Sequence, residues 1–223
     1  MLSPSSTVAM LATERPIAVR ILQRHGIDFC CGGHRSLAEA CAQSGITADL
    51  LLAEVTAEEQ RAAPSPRRWD AAPLPELVNY LLIQHHRPLD TELPRLTGLV
   101  NKVCSVHRDL DPTGFDAIRS TWLALRDDLV PHMEKEEQVL FPWIMAGKGG
   151  DAGGPIATME QEHVAVGGLL KELRALTNDY RVPEEACGSW RALWAGLEAL
   201  EADLHTHIHL ENNVLFPRAL DEG

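Results

Sequence analysis

Apolar side chains recur at helical spacing along most of the chain, and Leu, Ala and Glu are frequent throughout. Runs in which Val, Ile or Thr alternate with polar residues are missing, so the pattern predicts an all-α protein. Caps and stops predict four short helices in the N-terminal part. The first helix follows Thr7, and the second runs from Pro16 to Gly26. The third runs from its cap Ser36 to Gly45, and the fourth follows its cap Thr47.

Residues 62–75 form the clearest break in this pattern. They read Ala-Ala-Pro-Ser-Pro-Arg-Arg-Trp-Asp-Ala-Ala-Pro-Leu-Pro, and such proline-rich sequence is typical of linkers. We therefore predict a small N-terminal helical domain over residues 1–62, a linker over residues 63–73 and a larger domain over residues 74–223.

The larger domain shows four long helical patterns separated by Gly-, Pro- and Asp-rich breaks. The predicted helices run from Leu74 to the Cys104 region with a kink at Pro88, from Thr113 to Ala146, from Pro155 to about Thr177, and from beyond Pro183 to the C-terminus. Four antiparallel helices joined in this way predict an up-down bundle with its functional groups in the core.

Charge and composition narrow the functional classes. The formal net charge of −12 disfavours binding to nucleic acid, because an acidic surface repels phosphate. No stretch approaches the ~20 apolar residues of a membrane span, so we expect no membrane interaction. Five cysteines are an odd count, and the first residues lack the pattern of a signal peptide, so a cytoplasmic protein is expected.

One pattern in the larger domain occurs twice. The segments 132–142 and 207–217 both read H-x-x-x-E-x-x-V-L-F-P. Residues i and i+4 lie on one face of a helix, so His132 with Glu136, and His207 with Glu211, form two chelating pairs. The apolar residues that follow keep this stretch against the core, where an unsatisfied polar pair is costly and a metal would satisfy it.

Two further histidines complete the duplication. His86 precedes His132 by 46 residues, and His163 precedes His207 by 44. Four imidazoles and two carboxylates suit two metal ions, each with two nitrogens and two oxygens if both carboxylates bridge. Ligands of this kind without thiolate favour iron over manganese or zinc. An oxo or hydroxo bridge would leave one open position on each ion, which indicates redox or small-gas chemistry.

The remaining histidines are interpreted as background. His85 lies about 100° around the helix from His86, so only one of them faces the site, and His86 is preferred. His205 and His209 point away from His207, and we expect them on a solvated face.

The carboxylates near the repeats are divided by position. Glu134 and Glu137 are expected to be solvated. Asp128, one turn before His132, and Glu162, next to His163, are candidates for orienting the ligands or relaying protons.

The adjacent pair Cys30 and Cys31 lies in a predicted loop that continues with two glycines. We expect both thiols to be exposed and reactive, while a structural role for reduced thiols is the alternative. Cys41, Cys104 and Cys187 lie in helical patterns and are expected to fill the core.

These motifs resemble those of a known family. The features that carry the resemblance are the stretch Asp28-Phe29-Cys30-Cys31-Gly32-Gly33, the Glu162-His163 pair and the two repeats. The larger domain resembles hemerythrin-like di-iron bundles. The whole chain is identified as a member of the RIC (repair of iron centres) family, the YtfE/ScdA/DnrN/NorA-type proteins.

The resemblance implies two non-haem irons, oxo-bridged, held by six side chains. They are His86, His132, Glu136, His163, His207 and Glu211. It also implies repair of iron–sulfur clusters after nitrosative or oxidative stress, with nitric oxide or oxygen as a ligand and iron–sulfur proteins as clients. Cys30 and Cys31 would deliver electrons, accept iron or engage the client cluster. The alternatives are a nitric oxide reductase that forms nitrous oxide, and a carrier or sensor of nitric oxide or oxygen. The oligomeric state is not predicted.

Overall fold

The computed structural model describes residues 2–61 and 67–222, and within these residues it is helical without a β-strand. The predicted domain boundary at residue 62 and the start of the predicted linker lie outside the described residues. No helix among those described is long and apolar enough to cross a membrane.

Four short helices form the N-terminal domain. They are α1 (Val8–Glu14), α2 (Ala18–Arg24), α3 (Leu37–Gln43) and α4 (Ala48–Arg61). The predicted caps are present, since the Thr7 hydroxyl accepts from the Met10 amide and Ser36 forms a capping box with Glu39. An apolar core that includes Leu11, Leu22, Leu37 and Leu51 holds these helices together.

The bundle is built from four longer helical rods, and a rod here is either one helix or two consecutive helices joined by a short turn. They comprise α5 (Leu74–Leu81) continued by α6 (Arg87–Val106), α7 (Pro112–Lys135) continued by α8 (Phe141–Met145), α9 (Gly153–Leu176), and α10 (Gly188–Leu210) continued by α11 (Phe216–Glu222). The described end of the predicted linker packs on this bundle, because Trp69 is buried against Tyr80 and Arg218 donates to the Trp69 carbonyl.

Three π-helical turns interrupt the rods. They span Leu82–His86, Glu136–Leu140 and Glu211–Leu215, and each is followed by a proline at the second residue of the next helix. Proline lacks an N–H and displaces the carbonyl four residues before it, which favours a local change of helical pitch. The kink predicted at Pro88 therefore takes the form of a π turn before that residue.

Candidate metal centre

The six predicted ligand side chains meet between the two apolar clusters of the bundle, and each is at most 3% exposed. They are His86, His132, Glu136, His163, His207 and Glu211. Three of them stand at the edges of the π turns, since His86 ends the first turn, Glu136 begins the second and Glu211 begins the third. The π turns of the described residues thus lie where the candidate ligands stand, and π turns are frequent at functional sites.

The six side chains fall into two groups of four. The first, called here the His86/His207 group, combines these two imidazoles with the carboxylates of Glu136 and Glu211. The second, the His132/His163 group, uses the same two carboxylates. Within each group the candidate ligand atoms lie within 4.8 Å of one another. Each group takes one histidine from each half of the duplicated bundle, so neither half forms a site alone.

The nitrogen separations fit metal binding. The Nε2 atoms of His86 and His207 are 3.1 Å apart, and those of His132 and His163 are 3.0 Å apart. Two nitrogens that each lie ~2.1 Å from one ion, at a right angle, are ~3 Å apart. The imidazoles are thus spaced as two ligands of one ion in each group.

The carboxylates also fit a cation. Both oxygens of Glu136 are buried without a hydrogen-bond partner among the described residues. Burial and the neighbouring charge of Glu211 raise the pKa of Glu136 well above its usual range. Burial opposes ionisation of Glu211 too, but His207 and His163 hold the pKa of this carboxyl low. Bound cations would satisfy the buried oxygens of both carboxylates.

The imidazoles are kept in the form that binds metals. Burial, aided by the neighbouring imidazole, lowers the pKa of His86 and of His132 to about 4. Both rings are therefore neutral near pH 7, with an unprotonated nitrogen free to bind a cation.

Outer hydrogen bonds orient three of the four rings. His132 Nδ1 lies 2.8 Å from a Glu162 oxygen, as the sequence position of Glu162 suggested. His163 Nδ1 lies 2.7 Å from Asn212 Oδ1. Asp128, the other predicted orienting residue, is exposed, and no hydrogen bond joins it to a described ligand.

The prediction that Glu137 is merely solvated is wrong. One of its oxygens lies 3.0 Å from His86 Nδ1, and the other accepts from the Arg87 guanidinium. Glu137 and Asn212 both directly follow a ligand glutamate. That shared position is a sequence signal that identifies the pair.

His85 does not belong to the background either. It is 4% exposed, its Nδ1 lies 2.9 Å from an Asp203 oxygen, and its ring stacks on His207 with centroids 5.2 Å apart and planes 14° apart. His86, the preferred residue of the two, lies in the candidate ligand cluster, and His85 packs directly behind His207.

The cysteine loop has a defined shape. Asp28 Oδ1 accepts from the backbone amides of Cys30 and Cys31, at 3.1 and 3.0 Å. At Gly33 a Cβ would lie 2.8 Å from both the Ala9 side chain and the Phe29 carbonyl, so a side chain does not fit. The Asp-Phe-Cys-Cys-Gly-Gly sequence therefore specifies a compact turn.

This loop docks on the bundle beside the His132/His163 group. Asn213 Nδ2 donates to the Cys30 carbonyl at 3.1 Å, and Cys31 Sγ lies 3.6 Å from the His163 carbonyl oxygen. Cys30 is 5% exposed and Cys31 is partly buried, so the prediction of two exposed thiols is wrong. Cys30 is buried and Cys31 is partly buried because their loop docks on the bundle through these hydrogen bonds. The sequence of the loop alone does not indicate this docking.

Docking also overturns the prediction of a solvated face at His205 and His209. The Phe29 ring lies edge-on to both, with centroids 6.2 and 5.5 Å away. His209 is 2% exposed, and burial lowers its pKa to about 4. This face of α10 is covered by the N-terminal domain.

Two of the other three cysteines lie in apolar cores as predicted, and the third does not. Cys41 and Cys104 are buried in apolar cores, as expected. Cys187 is exposed at the start of α10, so its assignment to the core is wrong. Its Sγ lies 3.3 Å from His107 Nε2, and this contact lowers the pKa of the thiol to about 7.

Comparison with known families agrees with this geometry. The profile of the hemerythrin HHE cation-binding domain matches residues 77–219, which contain all six predicted ligands. The chain belongs to the hemerythrin HHE family. A second profile, ScdA_N, described as a domain of unknown function, matches residues 4–59, which include the cysteine loop.

Similarity to individual proteins extends over both domains. The chain is 40% identical over 216 residues to the iron-sulfur cluster repair protein YtfE of Yersinia pseudotuberculosis serotype O:1b, covering 97% of each chain. It is 39% identical, with the same coverage, to the protein of that name from Yersinia pestis strain Pestoides F. The resemblance inferred from the motifs is confirmed.

Proposed function

We propose that this chain binds two irons in a shared, oxo-bridged site and takes part in the repair of damaged iron–sulfur clusters. The observation that carries the proposal is the sharing of Glu136 and Glu211 between two buried pairs of histidines. The relatives named above match this chain over 97% of its length and are named for cluster repair, which supports the same function here.

The residues have distinct roles in this proposal. The four histidines and two shared carboxylates hold the irons, and Glu137, Glu162 and Asn212 orient the imidazoles. The bound irons would supply redox chemistry and positions for nitric oxide or oxygen, and iron itself would be the material delivered to a damaged client. Cys31, the more accessible thiol of its pair, lies next to His163 and would contact the client cluster.

The test uses the full chain loaded with ferrous iron under anaerobic conditions. We expect two irons per chain, and faster recovery of an iron–sulfur enzyme whose cluster has been damaged with nitric oxide. The matched variants are E211A, which removes a shared ligand, and E160A, which removes an exposed carboxylate of α9.

Three outcomes are informative. Recovery with wild type and E160A but not with E211A supports the proposal. Iron binding without any effect on cluster recovery contradicts it. Conversion of nitric oxide to nitrous oxide with turnover, and no recovery of the client, favours the reductase alternative.

A further inference from the structure

The four candidate ligand histidines are not anchored alike. The Nδ1 atoms of His86, His132 and His163 each face a carboxylate or amide oxygen, at 3.0, 2.8 and 2.7 Å. The Nδ1 atom of His207 is buried and has no hydrogen-bond partner among the described residues.

The duplicated sequence shows what replaces the missing partner. His85 precedes His86 by one residue, as Glu162 precedes His163. Glu162 crosses to the neighbouring helix and bonds His132, the chelating histidine of the repeat. His85 crosses to His207, the equivalent histidine, but stacks on its ring instead of bonding its nitrogen. One half of the bundle thus has an aromatic ring where the other has a carboxylate.

This difference affects metal binding directly. An imidazole whose outer N–H donates to a carboxylate is a stronger and better oriented ligand, and losing such a partner typically lowers metal affinity by ~10–100-fold. In the His132/His163 group both rings have an outer partner. In the His86/His207 group the His86 ring has one, and the His207 ring has none among the residues that the structure describes.

The outer side of the His86/His207 group lies next to an open cleft. His85 Nδ1 is held by Asp203, whose side chain is 39% exposed. Asp203 and Tyr80 line an open cleft of about 780 Å³ between the N-terminal domain and the bundle. The His85 ring joins this cleft to His207, because it contacts Tyr80 edge-on with centroids 5.6 Å apart and stacks on the His207 ring.

We propose that the iron of the His86/His207 group is the labile iron, released first and available for delivery, while the His132/His163 iron is retained. His85 is the residue that sets this difference. The inference rests on the proposed function in that it assumes two bound irons, and it adds which of them is supplied.

The experiment measures iron release rather than repair. The diferrous full chain is mixed anaerobically with an excess of a coloured ferrous chelator. Wild type should release iron in two phases of equal amplitude, with rates at least ~10-fold apart. H85E restores the carboxylate of the other half and should slow the fast phase towards the slow one. Q84E adds the same charge at the exposed neighbouring position and should leave both phases unchanged.

The opposite variant provides a second test that does not depend on H85E folding. E162Q weakens the partner of His132 and should accelerate the slow phase, while E160Q on the exposed face of α9 should not. A single release phase in wild type would overturn the inference and leave the proposed function standing. Wild-type protein that binds no iron would instead remove the proposed function.

Discussion

His86 and His163 hold equivalent places in the two halves of the bundle, yet different side chains anchor them. Glu137 bonds His86 and is itself paired with Arg87, which is half exposed. Asn212 bonds His163 through its oxygen, and its Nδ2 lies 3.5 Å from the Cys30 carbonyl. The Glu137 carboxylate thus connects His86 to a partly exposed arginine, whereas the Asn212 amide, with both a donor and an acceptor, connects His163 to the cysteine loop.

The two repeats also differ in how far the N-terminal domain covers them. On α10, His209 is covered by Phe29, while its equivalent in the first repeat, Glu134, is exposed. The two halves therefore match in their candidate ligand positions and differ in the side chains that contact those positions from outside. One face of the second repeat is a docking surface for the N-terminal domain, whereas the equivalent face of the first repeat is exposed.

The largest effect on iron content is expected at the carboxylates that both groups share. Glu211 belongs to both groups, so E211A should reduce the iron content from two per chain to near zero. E134A changes an exposed carboxylate on α7 and should keep two irons. Metal analysis after anaerobic loading measures this, and retention of one tightly bound iron in E211A would show that the groups are independent.

Acid should destabilise the covered face through His209. Its pKa is about 4 in the folded chain against 6.5 in the unfolded chain, because burial disfavours the charged ring. Between these values the unfolded state binds more protons, so folding stability is full above about pH 6.5 and falls as the pH decreases towards about 4. The loss from this residue is about 3 kcal/mol.

Urea unfolding of metal-free full-length chains at pH 7 and pH 4.5 measures the His209 contribution. H209Q should lose about 2–3 kcal/mol less than wild type between these pH values. H34Q changes an exposed histidine and should behave as wild type. Equal acid sensitivity in wild type and H209Q would contradict the role given to the covered face.

Docking of the cysteine loop is expected to depend on Asn213. Its amide donates to the carbonyls of Cys30 and Phe29, at 3.1 and 3.3 Å. N213A removes both bonds, worth about 1 kcal/mol each, and should accelerate alkylation of Cys30 roughly tenfold or more. Gln138 is the equivalent exposed residue of the first repeat, so Q138A is the matched control. An unchanged alkylation rate in N213A would show that these bonds do not hold the loop closed.

The smallest effect is expected at Glu137. E137Q gives the first half an amide like Asn212, which keeps an oxygen for His86 and removes the charge that pairs with Arg87. Because this ion pair is partly exposed, the free energy of unfolding should change by about 0.5 kcal/mol or less, with two irons retained. Loss of an iron in E137Q would show that His86 requires a carboxylate partner.

The proximity of His132 to Glu136 and of His207 to Glu211 could be predicted from the sequence, because residues i and i+4 lie on one face of a helix whatever the other elements do. His86 and His163 could be predicted because they precede the two repeats by similar distances, 46 and 44 residues. The hydrogen-bond partners of these rings could not be predicted in the same way. Glu162 lies on a different helix from His132, and Glu137 and Asn212 lie in π turns, which helical periodicity does not predict. Burial of Cys30 and His209 depends on docking between domains, for which neither segment carries a local signal.

The most direct test is anaerobic titration of the metal-free full chain with ferrous iron, followed by calorimetry and by Mössbauer spectroscopy of the loaded protein. We expect two irons per chain, the second bound ~10–100-fold more weakly, and two distinct iron environments of equal abundance. A single iron per chain, or binding that persists when both Glu136 and Glu211 are replaced, would contradict the shared two-ion site.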